Sequence, residues 1–184
     1  MPLIQSRAEL TKYLQAGNKV EYLHFWGHTR NDSNVINASC LSQWYPQSFS
    51  HEGTEYATAE HFMMAGKARL FADAQTCEQI LAATTPAEAK KLGRQVKNFD
   101  SALWNQHKVD IVTTGNIAKF SQHEDLKAYL LATGDKILVE ASPMDRIWGI
   151  GLGKNNPDAS NPEKWRGQNL LGFALMATRN HLQP

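Results

Sequence analysis

Two cysteines, Cys40 and Cys77, are all that this 184-residue chain contains, too few for a disulfide framework. Charge of one sign is missing too. Nineteen basic against 18 acidic side chains leave a formal +1, which argues against broad duplex binding driven by counterion release. No apolar run approaches the roughly 20 residues that span a bilayer, and the opening MPLIQSRAEL has no apolar core behind a basic start. These absences predict a cytoplasmic protein with no membrane partner. Repeats, low-complexity tracts and linkers are also absent, so residues 1–184 read as a single domain with 1–20 as an N-terminal helical extension. The 42% of hydrophobic residues suffices for a core of useful size.

Familiar catalytic signatures are absent as well. The run Gly149-Ile150-Gly151-Leu152-Gly153-Lys154 has three residues between Gly149 and Gly153 and Asn155 after the lysine. A Walker loop needs four, then Ser or Thr, so Gly149 and its neighbours read as the wall of a site rather than a triphosphate cradle. There is no G-x-S-x-G elbow, HExxH helix or cysteine pair at zinc spacing. The seven histidines therefore read as surface or packed side chains, and neither a metal nor another cofactor is expected.

Helix starts are well marked. Ser6 with Glu9, Thr58, Asp73, Thr85 followed by Pro86 and Glu88, and Asp100 each fit an N-cap. They predict helices to Gly17, over about 60–71, through Ala83, to about Val96, and from Asp100 with a bend or break at Thr113-Thr114-Gly115. Helices over 124–132 and about 168–181 complete the set. Strands are expected over Val20–Phe25 and 136–141, with a hairpin around His51-Glu52-Gly53. Residues 28–46 have no period, and 143–165 reads as a long loop rich in Gly, Asn and Pro. The sum is a mainly α (α+β) fold with a small antiparallel β element.

What the chain does have is five tryptophans, Trp26, Trp44, Trp104, Trp148 and Trp165, several beside Gly, Pro or Gln. A core Trp more often sits inside a periodic element, whereas a flat ring beside glycine can wall a site for a base or sugar. Among acidic groups, Glu60 falls in the first turn of a strong helix, where the dipole orients a carboxylate. That position suits either a catalytic group or simple dipole complementation. Lys67, two turns along the same helix, is either solvated or part of the same site. Asp145, in a loop that joins a strand to the glycines, suits a functional group or an Asx turn.

These residues, in order, resemble the NADAR (YbiA-like) family over nearly the whole chain after Glu21. The landmarks are Phe25-Trp26-Gly27-His28, Leu41-Ser42-Gln43-Trp44-Tyr45-Pro46, and Tyr56-Ala57-Thr58-Ala59-Glu60-His61 with Lys67. Gly93-Arg94, Trp104, Lys119-Phe120, Val139-Glu140, Asp145, Trp148-Gly149-Ile150-Gly151 and Trp165-Arg166-Gly167-Gln168-Asn169 follow. Leu41, where the family often has Phe, and the polar Thr113-Thr114 are departures. The resemblance implies a compact helical domain with a small sheet that cleaves N-glycosidic bonds. Its implied substrates are phosphorylated riboflavin-pathway intermediates or ADP-ribosylated guanine, so a nucleic-acid partner follows only from the second. Glu60, Asp145 and Lys67 are the implied catalytic set. Trp26, Ser42, Trp44, Trp104, Trp148, Gly149 and Asn169 are implied to bind substrate. Arg94 suits a phosphate partner or a structural salt bridge, and Lys67 suits sugar recognition or Schiff-base chemistry.

Overall fold

Five helix starts are capped by the side chains that mark them. The computed structural model describes residues 2–29 and 35–183. Ser6 caps α1 (Arg7–Gln15), Thr58 caps α2 (Ala59–Leu70), Asp73 caps α3 (Ala74–Ala82), Thr85 caps α4 (Pro86–Gly93) and Asp100 caps α5 (Ser101–Ser121). In each, the side-chain oxygen accepts the otherwise unpaired N–H three residues on. Two further helices, α6 (Glu124–Ala132) and α7 (Leu170–Leu182), follow.

The expected break in α5 does not occur; the helix runs 21 residues without interruption. Tertiary packing outweighs the weak local propensity of Thr113-Thr114-Gly115. A Cβ on Gly115 would stand 2.5 Å from the Phe62 ring, so the glycine is the point where α5 and α2 cross closely. Asn116, wholly buried, donates to the Val112 carbonyl at 2.9 Å and accepts from Gln43 Nε2 at 3.1 Å. Helix α4 ends at Gly93 instead of near Val96.

Among the described residues, four short strands form two pairs. β2 (Phe49–His51) and β3 (Thr54–Tyr56) make the expected antiparallel hairpin, turning through Glu52 and Gly53, both at positive φ. β1 (Tyr22–Phe25) and β4 (Ile137–Glu140) pair in parallel, Tyr22 opposite Ile137 and Phe25 opposite Glu140. Sequence alone did not reveal this pairing, because its crossover is the entire helical body and not one βαβ unit. The apolar run Ile137-Leu138-Val139 is fully buried, as parallel strands covered on both faces are.

Helix α2 is buried around most of its circumference and packs against α3, α4 and α5, while α7 covers α5 and β4. The segment 143–169 is stitched back onto β4: Ile150 N–H donates to the Glu140 carbonyl at 2.9 Å, and the Asn169 N–H donates to that of Gly149 at 3.1 Å. Trp165 anchors the segment, 3% exposed, with its indole N–H donating to the Ala159 carbonyl at 2.8 Å. Helix α1 docks through Leu10 and through Arg7, whose guanidinium donates to the carbonyls of Pro162 and Glu163. Of the irregular stretch 28–46, residues 30–34 lie outside those described; the rest holds a 3-10 turn at Ala38–Leu41. Among the described residues no helix is long and apolar enough to cross a membrane.

Candidate active site

Glu60 enters the site from the first turn of α2, and its N–H donates to the Gln43 carbonyl at 2.9 Å. The segment carrying Gln43 is in turn fixed by α5. Lys119 Nζ donates to the carbonyls of Cys40 at 2.7 Å and Ser42 at 3.2 Å, beside the bond from Gln43 to Asn116. Glu60 is 2% exposed, and its Oε1 has no hydrogen-bond partner. Burial pushes its pKa up to about 7; Lys90, a hydrogen bond from Trp44 and Arg94 pull it down, and Asp145 adds to the rise.

Opposite stands Glu140, the last residue of β4. Its N–H donates to Asn169 Oδ1 at 2.9 Å and its carbonyl accepts from Ile150 at 2.9 Å, so its backbone is fixed on both sides. Glu140 Oε2 is also shut off from solvent without a partner. Burial pushes this carboxyl up to about 8; Asp145 and Glu60 add to the rise, and Lys90 opposes it.

Asp145 does form the Asx turn: its Oδ1 accepts from the N–H groups of Ile147 at 2.8 Å, Trp148 at 2.7 Å and, weakly, Gly149 at 3.4 Å. All three bonds fall on one oxygen, and Asp145 still lines the cavity, so the turn and a functional role are compatible. Gly149 is required by close approach, since a Cβ there would stand 2.9 Å from the Glu140 carbonyl oxygen.

The three carboxylates open onto a two-lobed cleft. One lobe, about 480 Å³, holds Glu60, Lys67 and Trp148; an adjoining lobe of about 580 Å³ holds Trp26 and His28. Ser42, Trp44, Lys90, Arg94, Glu140 and Asp145 line both. The rim is apolar and exposed at Met144 (90%) and Trp26 (66%). Arg94 forms no ion pair among the described residues. Lys67 donates to the Gly93 carbonyl at 2.8 Å, and burial lowers its pKa.

Three expected substrate contacts lie outside the lining. Asn169 is fully buried, and its side chain is committed to β4, with Nδ2 donating to the Leu138 carbonyl at 2.9 Å and Oδ1 accepting from Glu140. Those bonds tie Asn169 to the backbone that carries Glu140. Trp104 packs against the core with its ring 5.8 Å from Lys67 Nζ, so it reaches the cleft only through that lysine. Gly149 closes the loop against β4. Glu140 and Lys90 line the cleft without having been singled out from the sequence. A charged residue ending an otherwise apolar strand was the signal for the first, and Lys90 and Arg94 four apart on one helix face for the second.

A NADAR domain model matches residues 24–183. The chain is 44% identical over 168 residues to N-glycosidase R617 of Acanthamoeba polyphaga mimivirus, covering 89% of this chain and 97% of that protein. It is 33% identical over 147 residues to riboflavin biosynthesis protein VVA0006 of Vibrio vulnificus, covering 80% of this chain and 36% of that protein. The NMR structure of the E. coli protein YbiA matches with a TM-score of 0.69 at 28% identity, covering 90% of this chain and 86% of that one. With a family model spanning residues 24–183 and a relative 44% identical over nearly its whole length, the chain belongs to the NADAR domain family.

Proposed function

We propose that the protein is an N-glycosidase that hydrolyses the N-glycosidic bond of phosphoribosylated riboflavin-pathway intermediates or of related ADP-ribosylated bases. One observation carries this reading: a buried carboxylate with an unpartnered oxygen, Glu60, opens into a cavity that also holds two cations, Lys90 and Arg94. Breaking a ribosyl C–N bond builds positive charge on the sugar, which a nearby carboxylate stabilises. Glu60, with its pKa near 7, is suited to accept a proton from the attacking water near neutral pH. Asp145, fixed by three amides, orients the ribose or shares in proton transfer. Lys90 and Arg94 take the phosphate, and Trp148 offers a ring face to the heterocycle. Named N-glycosidases among the relatives support the activity.

A second reading, removal of ADP-ribose from guanine in nucleic acid, is favoured by the adjoining lobe with Trp26 and His28, which gives room beyond one nucleotide. Such a substrate needs only a local contact with a flipped base. The test is to incubate the protein with each substrate class and follow ribose phosphate or ADP-ribose release by mass spectrometry. Release from the first class supports the leading reading and release from the second the alternative. Binding without release identifies a non-catalytic nucleotide-binding module.

A further inference from the structure

Hydrolysis of a C–N bond needs an acid as well as a base, because the departing nitrogen must gain a proton. Asp145 Oδ1 is already engaged as an acceptor by three backbone N–H groups. Glu60 lies beside donors and cations: the Trp44 indole, Lys90 and Arg94. These three favour its ionised form and oppose the rise that burial and Asp145 impose. Glu140 has the opposite surroundings. It faces the carboxylates of Asp145 and Glu60, with Lys90 as the cation acting on it, and its inward Oε2 has no donor. A buried carboxyl between two like charges keeps its proton.

We infer that Glu140 is a further catalytic residue, the general acid that protonates the departing base nitrogen while Glu60 acts as the base. This rests on the N-glycosidase reading. In the step, the C1′–N bond breaks with its electron pair going to nitrogen, which takes the Glu140 proton. Water adds its oxygen to C1′ and gives a proton to Glu60. Glu140 ends ionised and Glu60 neutral, and transfer of one proton between them through solvent resets the pair. Asn169 and Ile150 hold the Glu140 backbone in place, and no side chain competes for Oε2.

The charged and titratable groups that line the cleft with Glu140 are Glu60 and Lys67 from α2, Lys90 from α4 and Arg94 just after it, Asp145 and Arg146 from the loop, and His28 after β1. Burial and the two acids hold its proton up to a pH of about 8. Turnover therefore falls as pH rises through that value.

The test compares wild type, Glu60→Gln and Glu140→Gln on two substrates across pH. One is a phosphoribosylamine, whose nitrogen needs a proton to leave. The other is an N-ribosylpyridinium 5′-phosphate, whose base leaves neutral without one. Glu140→Gln is expected to lose about 10² or more in kcat on the amine, change only a few-fold on the pyridinium, and lack the alkaline limb on the amine. Glu60→Gln is expected to lose activity on both. An alkaline limb that persists in Glu140→Gln, or equal losses on the two substrates, overturns the assignment. Absence of release by the wild type from every ribosyl substrate overturns the glycosidase reading itself. That outcome is distinct from a wild type that turns over with Glu140→Gln matching it, which overturns only the acid.

Discussion

Two buried polar groups of residues lie on opposite sides of the segment 40–44, and they are built differently. Behind it, Lys119 and Asn116 are wholly buried and fully engaged, their bonds ending on Cys40, Ser42, Gln43 and Val112. In front of it, Glu60 and Glu140 each bury an oxygen with no partner. A buried polar group left unpaired costs free energy, whereas a paired one holds a particular backbone arrangement. The rear cluster therefore supports the fold, and the front pair is kept at a cost to stability; in the function proposed above, the substrate supplies its missing partners.

The largest effect is expected at Glu60. Glu60→Gln is expected to lower product release by about 10²–10⁴-fold, as removal of a catalytic acid or base does, while melting as cooperatively as the wild type. Next is Asn169, which belongs to the supporting side although it touches Glu140. Asn169→Ala leaves the Leu138 carbonyl and the Glu140 N–H unpaired, so thermal unfolding is expected to show a loss of about 2–4 kcal/mol. Steady-state kinetics of the surviving enzyme are expected to show kcat falling more than KM rises. Lys119→Met keeps the volume but strands the carbonyls of Cys40 and Ser42, for a loss of about 1–3 kcal/mol. Its folded fraction is expected to retain turnover within a few-fold.

The front pair also sets a pH dependence with a definite sign. Both carboxyls are raised in the folded protein, to about 7 and about 8, from an ordinary value of 4.5. The folded state thus holds protons that the unfolded chain releases, and stability is lost as pH rises from near 4.5 through 8. Melting temperatures across this range are expected to decline for wild type and to decline less for Glu140→Gln, which melts a few degrees higher at pH 8. Smallest is the contrast between two tryptophans. Trp148→Leu is expected to raise KM by about tenfold through lost stacking, and Trp104→Leu by less, because Trp148 lines the cleft and Trp104 does not.

Elements governed by local chemistry were legible in the sequence. Five capping side chains, the Glu52-Gly53 turn and the run Ile137-Leu138-Val139 each imposed their local form. Interactions between distant residues were not legible. The continuity of α5 depends on Phe62 meeting Gly115, and the parallel pairing of Tyr22–Phe25 with Ile137–Glu140 depends on the helices between them. The same division runs through the site. Glu60 and Asp145 could be singled out by a helix start and a loop, and both line the cleft. Asn169 and Gly149 marked the right region but serve the backbone there. Glu140 acquires its surroundings from α2, α4 and the returning loop, none of which adjoins it as a regular repeat.

The most direct test of the central contrast measures ribose phosphate or ADP-ribose release together with thermal stability for Glu60→Gln and Lys119→Met. The two variants are expected to respond in opposite ways: Glu60→Gln loses release but is at least as stable as wild type at pH 8, and Lys119→Met loses stability but keeps release. Release that survives both Glu60→Gln and Asp145→Asn, or a Glu60→Gln protein less stable than wild type at pH 8, would contradict that contrast.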